Sequence, residues 1–317
     1  MTPHMGWATP QTMHVIEDKF ECLEQIQDAL AHEGLESSEL IVGIDFTLSN
    51  RQQGRQTFSG RNLHRLSGRY QNPYQAALKI IAQSLQEYDD DQVYPVYRFG
   101  DSLTRHHSVL PLTNDMPEDG YQGFEQVEQA YVTAAQQLQL AGQTSFVPII
   151  HQAMEIVRSR REGDHYPYHI LLILTDGAVN HEVAQNIDAV VQASDYPLSI
   201  IVVGVGDGPW DKMIEFDDNI PKRAFDNLQF LNLHDHVRSL DDLTAEDEED
   251  FAVAALQELP EQYAKIKQLD LMNARRHDTS ASASASASQS APREAQPAKK
   301  FKKPLWLKKL FKKQPKA

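Results

Sequence analysis

Between about Ser38 and Leu233, short apolar runs alternate with segments whose apolar residues recur at helical spacing. This alternation is typical of a mostly parallel sheet covered by helices. Five apolar runs predict strands: Leu40–Asp45, Val93–Phe99, His169–Leu174, Leu198–Gly204 and Leu228–Leu233. The amphipathic segments between them predict helices at Pro73–Tyr88, Gly123–Leu138, Val147–Arg160 and Glu182–Ala193. We therefore predict an α/β fold with a Rossmann-like, open, mostly parallel sheet and helices on both faces.

The segments outside this region follow other patterns. Ile16–His32 and Phe251–Leu271 have helical spacing, whereas Ser280–Ser288 strictly alternates Ser and Ala and offers little apolar surface to bury. Such a composition favours a flexible linker over a strand. The predicted organisation has four parts: a helical N-terminal extension at 1–39, the α/β domain at 40–271, a Ser/Ala-rich linker at 272–298 and a Lys-rich tail at 299–317.

The charge of the chain is divided between two regions of opposite sign. The 317 residues carry 30 basic and 45 acidic side chains, a net charge of −15. The segment Lys299–Ala317 holds nine of the lysines and no acid, which leaves 21 basic against 45 acidic side chains elsewhere, or −24. The acidic body should repel nucleic acid and anionic lipid at long range, whereas the tail should attract both.

The Lys-rich tail has the pattern of a short amphipathic helix. On a helix over Pro304–Lys313, one arc would hold the apolar residues Trp306, Leu307, Leu310 and Phe311, with lysines opposite. This pattern predicts attachment to an anionic membrane surface. The alternatives are a nucleic-acid arm, a helix that binds a partner, or a tail that pairs with its own acidic domain.

Two absences in the sequence bear on location. Residues 1–20 lack the continuous apolar core of a signal peptide, and no apolar stretch approaches the roughly 18 residues of a membrane-spanning helix. The predicted location is cytoplasmic, with peripheral attachment to the inner face of a membrane.

Oxygen-bearing side chains cluster where predicted strands end. The first strand runs into Asp45-Phe46-Thr47-Leu48-Ser49, and the third into Thr175-Asp176-Gly177, while Thr144 precedes a predicted helix. The carboxyl edge of an open α/β sheet is where ligands bind. Carboxylate and hydroxyl oxygens suit Mg²⁺, Mn²⁺ or Ca²⁺ better than zinc or copper. The alternative is that these residues only shape loops and cap helices.

Taken together, these motifs resemble a known site. The order Asp-x-Thr-x-Ser, then Thr, then Thr-Asp-Gly is similar to the metal-ion-dependent adhesion site of von Willebrand factor A domains. Segments Ile41–Asn50, Asn72–Gln75 and Phe99–Asp101 resemble the copine-type A domain. Three later segments are especially similar to the A domain of RGLG-type ubiquitin ligases: Gly204–Trp210, Phe216–Pro221 and Arg223–Phe230.

The resemblance implies a role for each matching residue. Thr47 and Ser49 would coordinate the metal directly, Asp45 and Asp176 mainly through bound water, and Thr144 from the second loop. Mg²⁺ or Mn²⁺ is the expected ion, with Ca²⁺ as an alternative. The expected function is metal-dependent binding of a protein partner that offers an acidic side chain, with no small-molecule substrate. Three further matching residues receive no metal-binding role: Asn50, Asp101 and Asp207.

Departures from the family limit what the resemblance implies. About 39 residues precede the predicted domain, too few for a C2 domain, and the single cysteine, Cys22, excludes a RING finger within this sequence. Neither C2 lipid binding nor ligase activity is therefore expected. A metal-dependent phosphatase with Asp45 as nucleophile is the enzymatic alternative, but Thr47 stands where that class places its general acid. A membrane-directed adaptor with a vestigial metal site is a third possibility.

Overall fold

The computed structural model describes residues 19–67, 71–177, 183–211, 213–214, 220 and 223–275. The chain divides into two units, Met1–His277 and Asp278–Ala317, and all described residues belong to the first. The basic tail at 299–317, the Ser/Ala-rich linker beyond residue 275 and residues 1–18 of the predicted extension lie outside the described residues.

The described strands are β1 (Glu39–Asp45), β2 (Val93–Tyr94), β3 (Val96–Phe99), β4 (Leu110–Pro111), β5 (Tyr121–Gln122), β6 (His169–Thr175), β7 (Leu198–Gly204) and β8 (Leu228–Asn232). The described helices are α1 (Leu23–His32), α2 (Pro73–Leu85), α3 (Phe124–Gln137), α4 (Val147–Ser159), α5 (Val183–Ala193), α6 (Leu233–His236), α7 (Ala245–Leu256) and α8 (Leu259–Gln268). Short 3₁₀ turns occupy Leu48–Arg51, Gln86–Tyr88 and Leu240–Asp242.

Six strands form one sheet in the order β4-β3-β1-β6-β7-β8. Every neighbouring pair is parallel except β3 and β4, which pair antiparallel at one edge. The remaining strands, β2 and β5, pair antiparallel in a separate small sheet. The predicted α/β fold with an open, mostly parallel sheet is confirmed.

The second predicted strand, Val93–Phe99, is broken in the structure. Pro95 separates β2 from β3, because proline has no N–H to donate to a sheet ladder. Its carbonyl still accepts a hydrogen bond from Val42 N–H (3.0 Å), while β2 turns away to pair with β5. The two-residue strands β4 and β5 were not predicted, since so short a run carries no periodicity.

Helices cover both faces of the sheet, as the pattern predicted. Alternate residues of β1 enter two separate apolar clusters: Leu40, Val42 and Ile44 pack with residues of α1, α2, α3, α7 and α8, whereas Ile41 packs with α4 and α5. A Cβ at Gly43 would lie 2.7 Å from Ile149 of α4, so this position needs glycine for the helix to approach the sheet. The helices packed on each face of the sheet therefore hold β1 in position.

Local sequence signals explain several helix ends. Asn72 caps α2 in a capping box with Gln75, and Pro73 occupies the first turn. Pro260 likewise lies in the first turn of α8, so the helical spacing found over Phe251–Leu271 belongs to two helices, α7 and α8. In the described part of the chain, no helix is both long enough and apolar enough to span a bilayer.

Candidate metal centre

Three loops meet at the carboxyl edge of the sheet. β1 and β6 are parallel neighbours, so Asp45 at the end of β1 and Asp176 directly after β6 emerge side by side. The loop before α4 joins them through a bridge between Thr47 and Ala141 and a hydrogen bond from Leu48 N–H to the Ala141 carbonyl (3.0 Å). The structure thereby brings together all five predicted site residues: Asp45, Thr47, Ser49, Thr144 and Asp176.

A glycine in the loop after β3 leaves the space that Thr47 occupies. Gly100 follows β3 and has a φ of 83°, which favours glycine. A Cβ on Gly100 would lie 2.4 Å from Thr47 Cγ2 and 2.8 Å from Thr47 N. Any side chain at residue 100 would therefore push Thr47 out of the site.

The Asp45 carboxylate is fully buried and held by hydrogen bonds on both oxygens. Oδ1 accepts the backbone N–H of Thr47 (2.7 Å), and Oδ2 accepts the hydroxyl of Thr175 (2.7 Å). Thr144 Oγ1 lies 3.5 Å from Oδ2, at the long limit for a hydrogen bond. The Thr175 contact was not predicted, although its place directly before Asp176 is a signal that could have suggested it.

The Asp176 carboxylate, also buried, is satisfied on one side only. Its Oδ1 accepts the hydroxyls of Ser49 (3.0 Å) and Thr47 (3.3 Å), whose oxygens are themselves 3.0 Å apart. Its Oδ2 has no hydrogen-bond partner among the described residues. This oxygen therefore retains its capacity to accept from or coordinate a ligand.

Burial shapes the electrostatics of the two acids. Burial raises the pKa of Asp45, and hydrogen bonds from Thr47 and Thr175 offset only part of that shift. The pKa of Asp176 is raised well above its usual range, first by burial and then by the nearby charge of Asp45. Both carboxylates are buried, and a cation placed between them would stabilise both as anions.

The donor set fits a hard divalent cation. Two carboxylates and three hydroxyls supply only oxygen, which suits Mg²⁺, Mn²⁺ or Ca²⁺. The described residues contain no group of three or more His, Cys, Asp or Glu side chains that could hold a metal. A metal here would therefore depend on the hydroxyls as well as on the two acids.

A buried aromatic cluster supports Asp45 from behind. His64 Nε2 lies 2.8 Å from the Asp45 carbonyl oxygen, which can only accept, so Nε2 carries the proton. Nδ1 then accepts the hydroxyl of Tyr131 (2.9 Å), and the ring stacks between Phe46 and Tyr74. Burial lowers the pKa of His64 to about 3, so the ring is neutral. No pattern in the sequence had indicated this role.

Two of the residues without a predicted metal role fix the loops around the site. Asn50 Nδ2 donates to the carbonyl oxygens of Asp45 (3.3 Å) and Thr47 (3.1 Å), which shapes the turn after β1. Asp207 accepts the Thr57 N–H (2.9 Å) and hydroxyl (2.6 Å), and thereby ties the loop after β7 to the loop after β1. Both residues are structural in this arrangement.

The third such residue, Asp101, has its own cation. Its Oδ2 lies 2.6 Å from Arg98 Nε, and its Oδ1 accepts the N–H groups of Leu103 (2.6 Å) and Thr104 (3.0 Å). Arg98 is 4% exposed and Asp101 is 1% exposed. This pair closes the loop after β3, and the Arg98 guanidinium already neutralises the Asp101 carboxylate.

Comparisons with known proteins give this chain a matching family model and named relatives. The family model described as Copine matches residues 62–275. E3 ubiquitin-protein ligase RGLG5 of Arabidopsis thaliana is 46% identical over 286 residues, which cover 85% of this chain and 64% of that protein. Copine family protein 2 of Caenorhabditis elegans is 42% identical over 255 residues, covering 80% of this chain and 3% of that protein.

Among solved structures, a von Willebrand factor type A protein from Catenulispora acidiphila matches with a TM-score of 0.43 at 15% identity, covering 69% of this chain and 43% of that chain. The match to the plant relatives is partial. The aligned region covers 64% of RGLG5, 56% of RGLG2 and 54% of RGLG1, so the chain spans about half to two thirds of their lengths.

Proposed function

This chain belongs to the copine family, and from that premise we propose that it is a protein-binding module that contacts its partner through a Mg²⁺ or Mn²⁺ ion. The observation that carries the proposal is the buried acid pair of Asp45 and Asp176, in which Asp176 Oδ2 has no partner among the described residues. An acid pair without a cation is costly to bury, and its oxygen-only surroundings fit a divalent ion.

The exposure of the site residues suggests how a partner reaches the site. Asp45 and Asp176 are buried at the bottom of the site, whereas Ser49 and Thr144 are half-buried at its opening. In the proposed arrangement Thr47, Ser49 and Thr144 offer neutral hydroxyls, and the acids hold the ion from behind. When bound, the ion would supply a positive charge that these ligands only partly neutralise, which favours a carboxylate from the partner.

We propose recognition, not catalysis, as the activity of this chain. The plant relatives are named ubiquitin ligases, but a sequence with the single cysteine Cys22 cannot build a cysteine-rich zinc module. A phosphatase that used Asp45 as nucleophile would need a general acid two residues later. Thr47 stands at that position, which argues against that alternative.

We also propose that the basic tail at 299–317 attaches this module to anionic membranes from the cytoplasm. The support lies in the sequence, because the tail is outside the described residues. Lysines near an anionic surface contribute about 1 kcal/mol each before screening, and Trp306 and Phe311 would add an apolar contribution that salt does not remove. Flotation with phosphatidylserine vesicles should be lost on truncation after Ala298; equal flotation of the truncated chain would contradict the proposal.

Affinity capture tests the binding function. Full-length protein with the nine tail lysines changed to glutamine should retain proteins from lysate in Mg²⁺ and release them in EDTA, and Asp45→Ala in the same background should retain none in either condition. Glu249→Ala is the matched control, because it removes an exposed carboxylate from α7. Capture that persists in EDTA, or that Glu249→Ala reduces as much as Asp45→Ala does, would contradict a metal-dependent contact.

A further inference from the structure

A basic segment of the chain begins directly after Asp45, the first residue of the candidate metal centre. Residues 46–86 contain six basic and no acidic side chains, although the chain outside the tail has a net charge of −24. Four arginines of this segment lie on the described part of the loop between β1 and α2. We call them the arginine rim: Arg51, Arg55, Arg61 and Arg65.

The arginine rim has no acidic partner within the described part of the chain. Its members form no salt bridge there, and three of them are exposed while Arg61 is half-buried. Their side chains contact neutral groups: Arg55 lies 3.5 Å from the Gln52 side-chain oxygen, and Arg61 lies over the ring of Phe58. Six arginines elsewhere do pair with acids: Arg98, Arg158, Arg160, Arg161, Arg223 and Arg275. No ion pair among the described residues therefore neutralises the rim side chains, although the Asp207 carboxylate accepts backbone N–H groups of the same loop.

Hydrogen bonds hold the first half of this loop against the metal centre. The N–H groups of Gln52 (2.7 Å) and Gln53 (3.0 Å) donate to the Ser49 carbonyl. The Gln53 carbonyl accepts Asp207 N–H (2.8 Å). These bonds place Arg51 and Arg55 on a fixed turn that begins at a predicted metal ligand.

The second half is fixed in the same way. Leu63 N–H donates to the Asn50 carbonyl (3.0 Å), and His64 between the two later arginines reaches the Asp45 carbonyl. Arg61 and Arg65 line an open cleft of about 620 Å³. Arg61 and Arg65 thus lie on either side of His64 in the chain, on the part of the loop that contacts the Asp45 backbone.

Apolar side chains share this edge of the sheet. Leu48, Leu103 and Ile214 are 49%, 73% and 52% exposed, and they follow β1, β3 and β7. They are the most exposed large apolar side chains in the described part of the molecule. A free inorganic anion would make no use of them, whereas a polypeptide would.

We propose that the partner of this face is an acidic protein segment, in which one carboxylate reaches the metal centre and further carboxylates reach the arginine rim. This inference rests on the proposed function and names the class of partner. Exposed charges act over about 8 Å at physiological salt, so a short acidic segment would be affected by the rim and by the few acids beside it, such as Asp207, and not by the rest of the acidic body. An extended polyanion such as DNA or an anionic membrane would also meet the repulsion of the acidic body.

The test uses the full-length chain with the nine tail lysines changed to glutamine, so that the tail does not itself bind the probe. Two probes are titrated in Mn²⁺ and in EDTA: a poly-glutamate peptide and a peptide with one glutamate among glycines and serines. The rim variant is Arg51→Gln/Arg55→Gln. The control is Arg158→Gln/Lys265→Gln, which removes the same charge from α4 and α8.

The rim variant should bind poly-glutamate about three- to tenfold more weakly, since each exposed ion pair contributes modestly. It should bind the single-glutamate peptide as wild type does, and the control should bind both normally. Equal poly-glutamate affinity in the rim variant and wild type would overturn the inference while leaving metal-dependent binding intact. Rim-dependent poly-glutamate binding that is identical in EDTA would keep the rim but refute the proposed function. Rim-dependent flotation of anionic vesicles without binding of poly-glutamate would replace the protein segment with a membrane.

Discussion

Asp101 and Asp176 are buried acids that follow strands of the same sheet, but their charges are balanced in different ways. Asp101 has Arg98 at 2.6 Å and backbone donors on its other oxygen. Asp176 has two hydroxyls on one oxygen, no described partner on the other, and the like charge of Asp45 nearby. The fold thus supplies a cation to a buried acid that has only a structural role. The acid pair of Asp45 and Asp176 has no such cation from the described part of the chain. A site that binds an external cation requires this arrangement.

The largest expected effect concerns the acid that has its own cation. Asp101→Ala should lower the free energy of unfolding by about 3–5 kcal/mol, because it leaves the buried Arg98 guanidinium without its carboxylate. Chemical denaturation should show the same loss with and without Mn²⁺. A loss below about 1 kcal/mol would mean that Arg98 finds another partner and that the comparison is wrong.

The acid pair should respond with the opposite sign. In EDTA, Asp176→Asn should raise the free energy of unfolding by about 1–3 kcal/mol, because it removes a buried charge that lacks a partner. The raised pKa of Asp176 means that wild type loses stability as pH rises above the unfolded pKa, so the advantage of asparagine should grow with pH. Destabilisation in EDTA would show that the carboxylate is already satisfied.

Two threonines offer a finer comparison. Thr175 donates to Asp45 Oδ2, whereas Thr104 Oγ1 accepts the Asp101 N–H (3.1 Å). Thr175→Val should weaken Mn²⁺ binding about tenfold, since it frees the orientation of a predicted ligand. Thr104→Val should reduce stability without changing Mn²⁺ affinity, as measured by calorimetry. Equal Mn²⁺ affinities in the two variants would show that Thr175 does not orient Asp45 for metal binding.

The smallest expected effect concerns a third way of burying an acid, in which the carboxyl group keeps its proton. Asp89 is 5% exposed, and its Oδ2 has no partner among the described residues. Burial, with the charge of Asp91 adding to it, raises the pKa of Asp89 to about 7. Asp89→Asn should therefore have little effect near pH 4, and its stabilising effect should grow as pH rises from 4 towards 7. Thermal unfolding across this range checks it; a constant difference would contradict it.

The sequence predicted the parallel sheet well because its buried strands are continuous apolar runs, such as His169–Leu174. It predicted the meeting of Asp45 and Asp176 because parallel neighbours end at one edge. The break at Pro95 was visible in the residue type, but the pairing of β2 with β5 depends on a contact across many residues. Periodicity carries no information about such contacts.

The supporting groups of the site were beyond sequence reasoning for a similar reason. His64 reaches Asp45 only because the loop between β1 and α2 folds back under Asn50, and nothing near His64 in the sequence indicates this. The partner Arg98 of Asp101 lies three residues away, yet that spacing alone does not separate a structural acid from a ligand. Only the geometry shows which acid has a cation and which does not.

Calorimetric titration of full-length protein with Mn²⁺ tests the central claim most directly. Wild type and Glu249→Ala should bind one ion per chain at the acid pair, and Asp45→Ala and Asp176→Ala should lose that binding while retaining the far-ultraviolet circular dichroism of the fold. Unchanged Mn²⁺ affinity in both alanine variants would contradict the claim that Asp45 and Asp176 form a metal site.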